Sequence, residues 1–263
     1  MSAARPAGMR VAGTGLVVAI AVALAGCTGS GPNGGGAGGG GATTSAPAAS
    51  ARPVTSDEAD RLAVARFDVW DQQWTDVDLR VPVQGDVLHL TGRADMRDHE
   101  AFAHVTSREG DALLQWTLTG KAVVPATGDS LLPTPAPTSG WQAAAMVADD
   151  PLDAALVLTL NLASDRPENP VLLQQNGARW VGTGTVDGTE VDLFTAPAGG
   201  AATDGPTGGT ADARDNPLVR YAVDAKGYLR QVTADTGASE PLVVTLTPSD
   251  DSTPIDLVPA LKN

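Results

Sequence analysis

The stretch "VDLRVPVQGDVLHLTGRA", residues 77–94, decides the fold class. Apolar and polar side chains alternate along most of it, which is typical of strands that bury one face and expose the other. The alternation continues in "EAFAHVTSR", "ALLQWTLTG" and "KAVVPA", and the segments 95–99 and 109–111 supply turns. The pattern predicts a meander of antiparallel strands joined by short links.

Two hairpins are predicted further along the chain. The first, "ARWVGTGTVDGTEVDLFTA", turns at Asp187-Gly188, because Asp-Gly supplies the positive φ angles of a tight turn. The second, "LVRYAVDAKGYLRQVTADT", places Gly227 at its tight position. We expect "PLVVTLTPS" and "PIDLV" to close the sheet, which brings the count to about ten strands.

Two substantial helices accompany these strands. The first begins at Thr55 or Ser56, which can cap it, and continues to about Trp70. The second lies in "DDPLDAALVLTLNLASDRP", with Asp149 or Asp150 as its cap and a proline in its first turn. Helices combined with one dominant sheet predict the α+β class, with a long antiparallel sheet.

The second helix is apolar on nearly every side, more than packing on one sheet face requires. We expect Leu156 and Leu160 to pack on the sheet, while Val157, Leu158 and Leu162 face a cavity or its mouth. Trp180 is a further candidate for lining that cavity. On its predicted strand it shares a face with Gly182, Gly184 and Val186, and these glycines would leave room for its ring. The alternative is a hollow filled by packing, and the sequence does not choose between the two.

The N-terminal segment indicates export and anchoring. Arg5 and Arg10 precede a short apolar stretch, 16–24, which is typical of a secretory signal. Leu-Ala-Gly then leads into Cys27, the single cysteine, and this junction resembles the lipobox of bacterial lipoproteins. The resemblance implies removal of residues 1–26, a diacylglycerol on the Cys27 sulfur, and a location on the extracytoplasmic face of the cell membrane. The alternative is a chance cysteine after an ordinary signal.

Composition divides the remaining chain. Residues 27–54 form a linker rich in Gly, Ala, Ser and Pro, too poor in apolar surface to fold. Residues 55–263 suffice for one domain with a sizeable core, interrupted by a Gly-rich insertion at about 197–215. Arginine and alanine richness is typical of a GC-rich genome and suggests an actinobacterial source.

Charge and motif searches exclude several classes of function. The chain has a net charge of −14, and removing residues 1–26 with their two arginines takes it to −16, which disfavours nucleic acid as a partner. No catalytic motif is present, and "DMRDHEAFAH" with His99 and His104 is predicted to be a polar strand end facing water, as is His89. We therefore expect no enzymatic activity, no metal site and no cofactor, and a monomeric protein.

A family resemblance joins these features. The lipobox, the tether, "RWVGTGTVDGTEVDLF" and "VRYAVDAKGYLRQV" resemble the LppX/LprG-type lipoproteins of mycobacteria and, more distantly, the LolA/RseB-like fold. The resemblance implies a half-open β-barrel that wraps around helices and encloses a cavity for acyl chains. It implies a carrier or binder of a lipid or lipoglycan, or alternatively an RseB-like protein that senses envelope state or scaffolds a partner.

Overall fold

The computed structural model describes residues 51–127, 131–195 and 219–262, and these belong to one compact unit that spans Pro47–Asn263. The predicted signal segment, Cys27, nearly all of the linker and the insertion at 197–215 lie outside the described residues. Strand β1, Arg52–Pro53, extends the folded part a few residues beyond the predicted boundary at 55, because it pairs with a later strand of the sheet.

A single sheet of twelve strands dominates the described residues. All neighbouring strands are antiparallel, and their spatial order is β1-β8-β9-β10-β11-β12-β2-β3-β4-β5-β6-β7. The remaining strands are β2 Trp74–Val83, β3 Asp86–Asp95, β4 Glu100–Ser107, β5 Gly110–Trp116, β6 Gly120–Pro125, β7 Gln142–Ala145, β8 Arg179–Val186, β9 Thr189–Thr195, β10 Val219–Asp224, β11 Leu229–Ala234 and β12 Leu242–Pro248. In the described part of the chain β1 and β7 form two separate edges, so the sheet is not closed into a barrel.

Helix α1, Ser56–Gln72, confirms the first predicted helix. The Thr55 hydroxyl accepts a hydrogen bond from the Glu58 amide, and the Glu58 carboxylate accepts one from the Thr55 amide. This capping box satisfies amides that a helix start otherwise leaves unpaired. Leu62 and Val69 lie on the buried side of α1, within the main core.

Helix α2, Pro151–Leu160, confirms the second predicted helix, with Asp150 as the N-cap. It ends three residues before the apolar run does. A third helix, α3, Pro170–Gln175, was not predicted, because six residues are too few to show a helical period. The Asn169 side chain caps α3 by accepting hydrogen bonds from two amides of its first turn.

The main core lies on one face of the sheet, where α1 and α2 also pack. Trp116 of β5 is fully buried there, and its indole Nε1 donates a hydrogen bond to the Leu156 carbonyl of α2, 3.2 Å away. A buried indole N–H needs such a partner, so this contact fixes α2 against the sheet.

The opposite face of β4–β6 carries a second core, which corrects the prediction for "PIDLV". Residues 254–258 do not form a strand. Ile255 and Leu257 instead pack on that face, against side chains that include Leu113. Gln115 of β5 holds the segment, because its side chain accepts from the Val258 amide and donates to the Asp256 carbonyl. The period of two therefore reflects an extended segment lying across the sheet.

Both predicted hairpins are confirmed as β8–β9 and β10–β11. Asp187 and Gly188 have φ angles of 47° and 78°, as the tight turn requires. Gly227 has a φ angle of 99°, and a Cβ there would lie 2.9 Å from a methyl group of Val64 in α1. Glycine at 227 thus serves both the turn and the close approach of α1.

Candidate functional site

The two sides of α2 differ in burial but not in polarity. Leu156 and Leu160 are fully buried in the main core, as predicted. On another side, Ala154 is exposed and Val157 and Leu158 are half-buried. These three residues are spaced i, i+3 and i+4, so they form one stripe along the helix. We call Ala154, Val157 and Leu158 the open stripe of α2; it carries no charged or polar side chain.

Polar contacts fix both ends of α2. The Asp153 carboxylate, 1% exposed, pairs with the Lys121 ammonium of β6 and accepts a hydrogen bond from the Val147 amide at 2.8 Å. At the other end, the Leu160 carbonyl lies 3.1 Å from Nδ1 of His99, whose φ of 54° confirms the predicted turn. The open stripe is therefore held in a defined position.

The four predicted lining residues are not brought together. Val157 and Leu158 share the open stripe, and Leu158 also packs against the main core, to which Leu162, only 1% exposed, belongs. Trp180 lies on β8, and β9–β12 separate it from β2, one of the strands on which α2 packs. Whether these residues meet a lipid remains a prediction.

The surroundings of Trp180 differ from those expected. A register shift between Trp180 and Gly182 breaks the alternation, so the indole lies with the main core rather than beside the two glycines. A Cβ at Gly182 would meet nothing within 4 Å, and its φ of 148° explains the glycine instead. The Trp180 Nε1 donates to Asp192 at 2.8 Å, and the Arg52 guanidinium lies 4.4 Å from the ring centroid.

Arg52 and Glu58 form an ion pair beside Trp180. Two guanidinium nitrogens of Arg52 lie 2.6 and 2.7 Å from the Glu58 carboxylate oxygens. The hydrogen bonds from Arg52, with help from the Thr55 amide, lower the pKa of Glu58 to about 2 against the opposing effect of burial. The sequence did not predict this pair, because Arg52 lies in the predicted linker. Val54, an apolar residue that is buried in the core, was the one sign that the fold begins before residue 55.

No family model matches the chain, and the search of curated proteins found no match.

Two surface concavities lie away from the open stripe. One, of about 340 Å³, is lined by residues of β2, β3 and β12 together with Leu131, Leu132 and Asp187. The other, of about 310 Å³, lies beside β7 and the C-terminal 3-10 helix, Pro259–Leu261. Neither includes any of the four predicted lining residues.

The histidines are placed apart from one another. His89 is exposed as predicted, but His104 is only 8% exposed, which corrects the prediction that it faces water. It lies on the face of β4 that carries the second core, and its Nε2 is 3.5 Å from a carboxylate oxygen of Asp111. Across 51–127, 131–195 and 219–262, no group of three or more His, Cys, Asp or Glu side chains is placed to hold a metal ion.

Among the described residues, every helix is too short or too polar to cross a membrane.

Proposed function

We propose that this protein is a lipoprotein, anchored through Cys27 outside the cytoplasmic membrane, which binds or carries a lipid or lipoglycan by its acyl chain. The open stripe of α2 is the observation that carries the proposal. A helix that meets water usually has a polar outer side. Ala154, Val157 and Leu158 present apolar surface instead, which suits an acyl chain because such chains need a dry apolar wall.

The sheet contributes apolar surface in the same region. Val123 of β6 is opposite Leu114 in register, and Leu114 belongs to the main core, so Val123 faces the side of the sheet that carries α2. Val123 is 36% exposed, and its neighbour Lys121 reaches Asp153 of α2. The sheet therefore offers an acyl chain apolar surface on the same face that carries α2.

A LolA-like arrangement is part of this proposal. The twelve-stranded sheet with two free edges and helices on one face supports it. In such an arrangement the hollow of the sheet holds helices and the ligand together.

The second candidate is a non-catalytic interaction protein of the RseB-like kind. The specific observation that favours it is Leu162, which is packed into the core where the sequence suggested a cavity wall. A filled hollow would leave only the outer surface for recognition.

Titration with a fluorescent fatty acid distinguishes the two candidates. The mature chain, residues 27–263, is compared with Val157→Trp, which adds bulk to the open stripe. Asp60→Trp is the matched control, because Asp60 is exposed on α1 and lines neither surface concavity. We expect saturable binding by the wild type and the control, and loss of binding in Val157→Trp at an unchanged Tm. Absence of binding by the wild type would leave the interaction protein as the function.

A further inference from the structure

We propose that α3 docks on the bilayer that carries the Cys27 anchor, by inserting Val171 and Leu172 at the membrane surface. This inference rests on the anchoring part of the proposed function and goes beyond it, because it assigns a second membrane contact. The contact would fix the orientation of the domain relative to the bilayer.

The first observation is the exposure of α3. Val171 is 56% exposed and Leu172 is 51% exposed, although the next residue, Leu173, is buried in the main core. One side chain thus fastens the helix, and two adjacent apolar side chains project into solvent. Residues 169–178 contain no charged residue, in a chain whose net charge is −14. An acidic surface would be repelled by anionic lipids, and this segment is an uncharged interruption of it.

The second observation is where the tether joins the folded unit. Strand β1 pairs with β8, which begins directly after α3, and the Val54 amide donates to the Ala178 carbonyl at 3.3 Å. The Ala178 amide in turn donates to the Leu173 carbonyl of α3. The chain arriving from Cys27 therefore enters the fold beside the C-terminal end of α3.

The length of the tether favours the bilayer as the surface that covers Val171 and Leu172. Residues 27–51 are rich in glycine, and a chain of this length and composition has a typical end-to-end reach of roughly 25–30 Å. A tether of that reach would keep α3 near the membrane surface. Two half-exposed apolar side chains bind a bilayer too weakly on their own, but a tether raises the effective concentration to about the millimolar range. The same contact is therefore negligible for the untethered protein.

The local charges permit this approach. Arg166 precedes α3 and Arg179 follows it, while Asp165 and Glu168 offset them, and Glu168 is itself paired with Arg66 at 3.3 Å. The surroundings of α3 are close to neutral, so anionic headgroups are not repelled.

Amide hydrogen exchange of the lipidated protein in vesicles tests the proposal. The vesicles are an equimolar mixture of phosphatidylcholine and phosphatidylglycerol. We expect the amides of 171–178 to exchange about tenfold more slowly than in the unlipidated mature chain mixed with the same vesicles. The exposed edge strand β7 is the internal control, and its exchange should not change.

A double variant, Val171→Ser with Leu172→Ser, supplies the second arm. It should remain membrane-bound through its lipid yet lose the protection of 171–178, while fatty-acid binding stays at the wild-type value. Unprotected amides in the wild type, or equal protection in the double variant, would overturn the docking of α3. Equal protection in the unlipidated chain without vesicles, rising with protein concentration, would also overturn it, since a second copy would then be the occupant. Fatty-acid binding in the same samples reports separately on the proposed function.

Discussion

Helices α1 and α2 pack on the same face of the sheet but meet their surroundings differently. Both begin with a side-chain cap, and both bury leucines in the main core. The outer side of α1 carries Asp57, Asp60 and Asp71, all exposed, as expected of a helix facing water. The corresponding side of α2 is the open stripe, which has no charge at all.

The difference favours a role for the open stripe in addition to packing in the core. Burial of apolar surface stabilises the fold by about 25 cal/mol per Å². The exposed parts of half-buried Val157 and Leu158 do not contribute this stabilisation. An acyl ligand would recover it. In α1 the exposed positions Asp57, Asp60 and Asp71 are acidic, and half-buried Val64 and Phe67 lie beside Gly227 and Trp70.

The largest expected effect separates the two sides of α2. Leu156→Ala should lower the free energy of unfolding by about 2–5 kcal/mol, because it leaves a cavity in the fully packed core. Val157→Ala should cost about 1 kcal/mol or less, since little packing is lost there. Urea unfolding of both variants makes the measurement, with Leu62→Ala in α1 as the matched core control. Equal costs at 156 and 157 would mean that the stripe is packed like the core.

A smaller loss of stability is expected when the ion pair between Asp153 of α2 and Lys121 of β6 is broken. Asp153→Asn keeps the size of the side chain but leaves the Lys121 ammonium without its carboxylate. We expect a loss of about 1–3 kcal/mol, because a partly buried charge loses its charged hydrogen-bond partner. Lys121→Met in the Asp153→Asn background should restore part of the loss, as chemical denaturation of both variants will show. A double variant no more stable than Asp153→Asn would contradict the pairing.

The smallest effect belongs to α1 and depends on pH. The folded-state pKa of Glu58 lies at about 2, below its ordinary value, so its ionised form stabilises the fold. This stabilisation is complete above about pH 4.5 and is lost as the pH falls towards 2. Glu58→Gln keeps an oxygen for the Thr55 amide but removes the charge. Its Tm should fall less than that of the wild type between pH 5 and pH 2.

Two results would count against this account of Glu58. One is parallel Tm profiles for the wild type and Glu58→Gln across this pH range. The other is an unchanged profile in Arg52→Gln, which removes the partner whose hydrogen bonds lower the pKa.

The sequence determined the repetitive parts of this fold well, because period and turn chemistry are local. The Asp187-Gly188 hairpin and the Asp150 cap of α2 are confirmed for that reason. The segment 254–258 was predicted wrongly, because an extended chain lying across a sheet has the same period as a strand within it. The two cases differ in the contact with Gln115, which lies 143 residues before Val258, and no local pattern shows that contact.

The candidate site was predictable only in part. The apolar surround of α2 is visible in the sequence, and that Val157 and Leu158 face a cavity stays a prediction. The placement of Leu162 depends on where α2 ends, and helix ends are the least certain feature of a periodic pattern. Trp180 was grouped with two glycines by strict alternation, and a single bulge moved it to the other face.

Photo-crosslinking tests the central claim most directly. A fatty acid with a diazirine near its end is bound to the mature chain and activated, and the labelled peptides are identified by mass spectrometry. The account predicts labelling at Ala154, Val157 or Leu158, competed by unlabelled fatty acid, and none on the outer side of α1. Labelling spread equally over α1 and α2, or no competed labelling at all, would contradict it.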